Sequence, residues 1–382
     1  MKWYNTKGVP NSRVDVADAL RGLAVAGIIL YHSVEQFNIY QGGPHTYSLA
    51  CDQTVASVLQ WLLSCKMYGI FALLFGFSFF IQNDNQQQKG NSFAGRFALR
   101  MFWLLLFGLV NTAFYDGDIL MSYAVMGLLL IPLSYLPTGV LLVIALLFFI
   151  QPVELYSYFT GWRMPMGGVW KYYGLMSDAH HSGTFIQNTV ANLKYGQLAT
   201  FFWNLMVGRQ TQIFCLFILG LVAGRKRLFY NEGRNLVFWR IVALVSIVAV
   251  LVISQAGWAT PKFKINSVVK PMYNFSIMTA IISIFILLWY RSDVFKVLVK
   301  PLQSMGKMSL SNYLAQSVIG CFIFCNYGFG LHSVLDITYS FLVGIFMVVL
   351  QCSLSMWWLD RHTHGPLEGV WKKLTWLGKK QS

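Results

Sequence analysis

The chain has 382 residues, of which 56% are hydrophobic and 11% charged, and its formal net charge is +15. Ordinary globular domains carry about a quarter charged residues, so this composition excludes a soluble fold and points to lipid as the main solvent. The basic excess is not a nucleic-acid footprint, because most Lys and Arg sit in the short breaks between apolar runs, where they set topology.

The polar stretch 1–15 runs straight into the apolar segment DALRGLAVAGIILYHSVEQF, so it reads as a cytoplasmic N-terminus without a cleavable leader. Apolar runs at 16–38, 55–82, 96–114, 118–136, 138–152, 200–224, 236–256, 268–290, 308–328 and 334–358 predict about ten transmembrane helices. Threading them from a cytoplasmic N-terminus leaves most of the basic residues inside, which puts both termini in the cytoplasm. The expected fold class is therefore all-α, a single polytopic membrane domain over 1–382 with a cytoplasmic tail at 359–382. Residues 152–199 form the expected extracytoplasmic loop; its aromatics (Trp162, Trp170, Tyr172, Tyr173) suit the lipid interface. Its second half, from Gly183, is expected to run as a helix into the sixth span. The polar stretch 83–91 reads as a solvated cytoplasmic loop. The absence of an internal repeat disfavours transporter folds built from duplicated halves.

The first span carries the most informative polar residues. Asp18, Arg21, His32 and Glu35 fall within one narrow sector of its helical wheel, and ionisable side chains inside a lipid-spanning helix are a functional-site hypothesis by default. Arg21 lies about 6 Å and His32 about 22 Å above the inner boundary. Asp18 is expected to pair with Arg21, and Glu35 to accept the His32 ring N–H and orient it. The alternative is that Arg21 snorkels to the surface and His32 caps a helix end.

Arg209, at a similar expected depth, is a candidate for binding an anionic acceptor or an oxyanion; if its helix starts near residue 211 it is only an outer flank. Asp116 and Asp118 share a short outer turn and are acceptor-side candidates, or turn formers. Ser309, Asn312 and Gln316 share a face and read as interhelical glue. His180 and His181 with Asp178 lack a third spaced ligand, so no metal is expected. The six cysteines (Cys51, Cys65, Cys215, Cys321, Cys325, Cys352) form no disulfide or metal framework by spacing.

Five stretches carry a resemblance: DALRGLAVAGIIL (18–30), LLFGFSFFIQ (73–82), GDILMSYAVMGLLL (117–130), GKMSLSNYLAQSVI (306–319) and HGPLEGVWKKLTW (364–376). In them the chain resembles the YeiB-like family of bacterial inner-membrane proteins, whose C-terminal part (here 306–376) belongs to domain of unknown function 418. Asp18, Arg21, Gly22, Gly117, Asp118 and Glu368 fall on that pattern. The family looks related to the transmembrane acyltransferase superfamily, including the acyltransferase-3 and heparan-α-glucosaminide acetyltransferase-like groups. Arg21 and His32 reproduce the Arg, ten residues, His spacing of the acyltransferase-3 first helix; many YeiB-like chains have Asn at the histidine position.

The resemblance implies a multi-pass protein of the bacterial inner membrane. It further implies an acyltransferase that moves an acyl group, with acetyl as the expected one, from cytoplasmic acyl-CoA to an extracytoplasmic carbohydrate or lipid-linked acceptor. His32 is then the expected base, Glu35 its orienter and Arg21 the contact to the donor phosphates. Asp116, Asp118 and Arg209 are expected on the acceptor side. Partners are membrane lipids and a small-molecule or glycan acceptor, with no nucleic acid and no metal. A small-metabolite transporter whose path is lined by the same polar faces is the alternative.

Overall fold

The computed structural model describes residues 11–35, 47–161, 167–258 and 266–376. Trp162, the first ten residues and the last six fall outside the described residues, as do the side chains of Asp178 and His181. Every named element is a helix, and an isolated bridge joins Tyr47 to Leu335. In chain order they begin with α1 (Asp15–Val34), α2 (Asp52–Leu62), α3 (Met67–Gln88), α4 (Ala94–Thr112), α5 (Leu120–Leu128), α6 (Leu130–Leu133) and α7 (Thr138–Phe149). A helical middle region follows: α8 (Pro152–Thr160), α9 (Gly167–Ser182), α10 (Phe185–Ala191), α11 (Gln197–Met206) and α12 (Arg209–Arg225). The rest comprises α13 (Gly233–Gln255), α14 (Asn266–Arg291), α15 (Asp293–Leu298), α16 (Lys300–Lys307), α17 (Ser309–Phe324), α18 (Ile337–Leu359) and α19 (Pro366–Thr375).

The chain is a multi-pass membrane protein; among the described residues six to eight helical stretches qualify as spans by length and composition, against ten expected. Six helical stretches are long and apolar enough to cross as single units: α1, Asp52–Gln88, α4, α13, α14 and α18. Two bent pairs raise the number to eight, α7 with α8 (42°) and Phe185–Met206 with α12 (75°). The shortfall has a physical cause. The expected span 118–136 breaks into α5 and the four-residue α6, and 308–328 yields the 16-residue α17. A nine-residue helix covers only about 14 Å of a hydrocarbon core roughly 30 Å thick.

Two further expectations shift. The stretch 83–91 is not a loop: α3 continues to Gln88, because its Asn and Gln residues tolerate a helix and Asp84 accepts hydrogen bonds from Asn11 (2.6 Å) and Gln88 (2.8 Å). The region 152–199 is largely helical, and α10 opens on a capping box between Thr184 and Gln187 as the sequence from Gly183 suggested.

Helix α1 lies at the centre, packed against α16, α18 and α3, and most of its residues are buried. Its approach to α16 depends on two glycines. A Cβ at Gly22 would run into the Leu302 carbonyl, and one at Gly306 into that of Asp18. Asp15 and Asp18 occupy the first turn of α1 and complement its positive dipole end. The expected glue on α17 is present at one position: Asn312 donates to Ser355 Oγ of α18 (2.9 Å) and to the Met305 and Met308 carbonyls, whereas both amide atoms of Gln316 are buried without a hydrogen-bond partner among the described residues.

Candidate active site

One face of α1 serves two cavities. Near its start, a cavity of about 200 Å³ is lined by Asp18 and Arg21 of α1, Ser78 of α3, Arg100 of α4, Lys307 of α16 and Glu368 of α19. Asp18 is buried and takes hydrogen bonds from Arg13 Nε (2.6 Å) and Arg21 Nη1 (2.5 Å), so the expected Asp18–Arg21 pair is present with a second arginine added. Arg21 Nη2 also donates to Ser78 Oγ (2.6 Å). Arg100 lies 3.7 Å over the Trp371 ring, and the Trp371 indole donates back to the Arg100 carbonyl (2.9 Å). Four cations therefore border one small cavity, Arg13, Arg21, Arg100 and Lys307, against the carboxylates of Asp18 and Glu368.

Glu368 is committed locally. Its Oε1 accepts from the Leu310 and Ser311 amides (2.8 and 3.0 Å) and its Oε2 from the Ser311 hydroxyl (2.6 Å). The GPLE block thus closes the open start of α17, where Met308 offers no side-chain cap.

The far end of α1 borders a larger cavity of about 480 Å³, whose lining includes His32, Glu35, Asp116 and Arg209. Aromatic residues contribute to the rest of its wall, among them Tyr31, Tyr68, Tyr115, Trp170 and Trp203. Tyr313 of α17 lines both cavities and forms part of the wall between them.

The expected Glu35–His32 contact is replaced by two others. The Tyr31 hydroxyl donates to Glu35 Oε1 (2.7 Å), one helical turn apart, while His32 Nε2 shares a hydrogen bond with the Tyr115 hydroxyl (3.2 Å). Tyr31 stands at i−4 from Glu35, where a phenol reaches the carboxylate directly; the His32 ring instead faces the turn after α4. Tyr115 is thus the partner that orients His32, and Glu35 lies beside it on the same cavity wall.

Asp116 and Asp118 are separated by the turn that holds them. Asp116 lines the His32 cavity, and its carbonyl accepts from Thr200 Oγ1 (2.7 Å). Asp118 is absent from that lining: its carboxylate accepts from Asn111 Nδ2 (2.9 Å) and the Met121 amide (3.2 Å), which ties it to α4 and to the first turn of α5. Burial pushes its carboxyl up to about 7, against the hydrogen bonds that favour the charge. Asp118 therefore stands outside the cavity wall on which an acceptor-side residue was expected.

Arg209 is the first residue of α12, after a break at Gly208, whose φ of 63° is the left-handed conformation that glycine adopts without strain. Its guanidinium carbon lies 4.9 Å from the centroid of the Tyr68 ring, whose hydroxyl donates to Gln212 (2.5 Å). Although α12 starts here, Arg209 is no free outer flank, because it lines the cavity with Nε shielded and without a hydrogen-bond partner. His180 also reaches this wall and pairs with Asn192 Oδ1 (2.8 Å). Among the described residues no group of three His, Cys, Asp or Glu could hold a metal ion.

The residues that sequence reasoning passed over are Arg13, Arg100, Lys307, Tyr115 and Tyr313. The three cations read as topology charges, Tyr313 lies only beside the polar face of its span, and Tyr115 carries no spacing that marks it.

An all-helical, multi-pass membrane protein with back-to-back polar cavities on its first helix is the class defined so far. Residues 13–186 match the family profile described as heparan-alpha-glucosaminide N-acetyltransferase, catalytic, and residues 223–378 match protein of unknown function DUF418. The chain is 25% identical to the uncharacterized protein YxaH of Bacillus subtilis (strain 168), over 96% of this chain and 95% of YxaH. It is 23% identical to an uncharacterized 39.9 kDa protein of Bacillus acidopullulyticus, over 97% and 95%. It is 25% identical to the uncharacterized protein YeiB of Escherichia coli (strain K12), over 94% and 95%. The YeiB-like resemblance holds over nearly the whole chain. Asp18, Arg21, His32, Glu35, Asp116 and Asp118 all fall inside the acetyltransferase-like match, and Arg209 falls between the two matched segments.

Proposed function

We propose that this protein is a transmembrane acyltransferase that takes an acyl group, acetyl in the simplest case, from cytoplasmic acyl-CoA and delivers it to an acceptor in the His32 cavity. The observation that carries the reading is that a single helix face lines both cavities, with Arg21 in one, His32 in the other and Tyr313 in the shared wall. The positive-inside pattern of the sequence favours the Arg21 end as cytoplasmic and the His32 end as extracytoplasmic. The acetyltransferase-like match over residues 13–186 supports the reaction class.

In this reading Arg21, Arg13, Arg100 and Lys307 hold the donor phosphates, and the acyl-bearing arm follows α1 toward His32. Cations around a small cavity suit a polyphosphate, and the guanidinium groups can contact its oxygens in pairs. His32, oriented by Tyr115, takes the proton of an acceptor hydroxyl or amine as that atom attacks the thioester carbonyl. The new C–O or C–N bond forms, the C–S bond breaks, and the proton passes to the departing CoA thiolate. The acceptor belongs to the extracytoplasmic side, as a carbohydrate or a lipid-linked group.

The test is acetyl-CoA binding by calorimetry to the detergent-purified chain and its Arg21→Ala and His32→Ala variants, followed by transfer from labelled acetyl-CoA. Binding lost in Arg21→Ala and kept in His32→Ala, with transfer lost in both, is the expected result. A folded wild type that binds neither acetyl-CoA nor a longer acyl-CoA would remove the reading.

A further inference from the structure

The geometry points to an anionic ligand in the His32 cavity, a small acceptor carrying a phosphate or carboxylate that Arg209 receives. The inference rests on the proposed role of that cavity as the acceptor side, and names the chemistry the acceptor must have. Among the described residues that line it, Arg209 is the one Lys or Arg. No ion pair joins it to a carboxylate within 4.0 Å among those residues, although Glu35 and Asp116 share the same wall. Its Nε is shielded from solvent and has no hydrogen-bond partner.

A guanidinium kept inside a membrane protein without a carboxylate in ion-pair contact is expensive, and such a group usually marks a ligand path. The Tyr68 ring covers one face of Arg209 and leaves its Nε donor without an acceptor. Glu35 and Asp116 stand elsewhere on the same wall. They repel a second anion and favour hydroxyl or amine donors, so the ligand presents its anion to Arg209 and its nucleophile toward His32 and Glu35. Trp170 and Trp203, in edge contact with centroids 6.4 Å apart, supply an apolar platform on the same wall.

A cysteine distinguishes this cavity from the Arg21 cavity. Cys65 lines it, the Arg21 cavity has no cysteine in its lining, and exposed Cys51 lies outside both. The full-length protein in detergent is treated with a maleimide. The Cys65 labelling rate is read by peptide mass spectrometry against Cys51, with glycerol 1-phosphate, glucose 1-phosphate or glucuronate titrated in. Neutral glycerol and glucose are the controls.

Cys65 labelling should slow saturably with at least one anion, by about tenfold when it stands at ten times its Kd, and should not respond to the neutral partner at the same concentration. Protection should vanish in Arg209→Gln and persist in part in Arg209→Lys, with the Cys51 rate unchanged in both as evidence of a retained fold. Equal protection by neutral and anionic probes, full anion protection in Arg209→Gln, or no protection by any anion would each overturn the inference. Acetyl-CoA binding at the Arg21 cavity is a separate measurement, so its failure would remove the enzyme reading and leave the anion result standing.

Discussion

The hydroxyl of Tyr115 lies 3.2 Å from Nε2 of His32, with the ring centroids 4.9 Å apart. A turn residue between α4 and α5 therefore sets the orientation of a histidine on α1, and does what the sequence assigned to Glu35. Removing that hydroxyl while keeping the ring isolates its effect. Tyr115→Phe should lower acyl transfer about tenfold, the loss of one net hydrogen bond of about 1.4 kcal/mol, with acetyl-CoA affinity unchanged. Glu35→Gln should lower it less, because its carboxylate is bonded to Tyr31. Side-by-side kcat and acetyl-CoA Kd measurements check this. A matching loss of affinity in Tyr115→Phe would mean that the hydroxyl holds the bundle rather than the base.

The polar face of α1 was legible because helical periodicity is a local property: four ionisable residues at fixed offsets must share a sector wherever the helix lies. Which of them touch is not local. Tyr31 to Glu35 and Glu35 to His32 are both allowed spacings, and the position of Tyr115, set by the α4–α5 turn, decides between them. Arg100 and Lys307 read as loop charge because their place at a cavity depends on α4, α16 and α19 being neighbours of α1. Span counting is not local either. Hydropathy reports a run of apolar residues but not the break between α5 and α6, nor that α17 stops at Phe324.

Glu368 offers a test of how the C-terminal helix supports the site. Its carboxylate accepts three hydrogen bonds from Leu310 and Ser311 at the start of α17, the helix that carries Tyr313. Glu368→Ala leaves two amides and a hydroxyl without their acceptor, which should cost about 1–3 kcal/mol. The melting temperature in detergent should fall by several °C, and Glu368→Gln, which keeps one acceptor oxygen, should fall less. An unchanged melt for Glu368→Ala would show that α17 starts without this cap.

The crossing of α1 with α16 should tolerate no side chain at Gly22. A Cβ there meets the Leu302 carbonyl, which is backbone and cannot rotate aside, so the helices must separate. Overpacking of this kind costs roughly 1–3 kcal/mol. It should also disturb Asp18 and Arg21 on adjacent turns of α1. Gly22→Ala is therefore expected to lower both thermal stability and acetyl-CoA affinity, whereas Gly95→Ala, where an added Cβ meets nothing within 4 Å, should change neither. Equal behaviour of the two variants would mean that α1 and α16 do not approach this closely.

Asp118 links the turn to pH. Burial raises its carboxyl from an ordinary 3.8 to about 7, and the hydrogen bonds from Asn111 and the α5 amides only partly oppose that. A folded-state value above the unfolded one means that the native protein holds the proton more tightly. The contribution is fully present at acid pH and is lost as pH rises through about 7. The melting temperature should therefore decline from roughly pH 5 to pH 8 by more in wild type than in Asp118→Asn, whose amide does not titrate. The carboxamide oxygen of that variant can still accept one of the two hydrogen bonds that Asp118 takes from Asn111 and Met121, so it should fold. Parallel melting curves across that range would show that Asp118 keeps one protonation state there, and that the turn presenting Asp116 to the cavity is indifferent to pH.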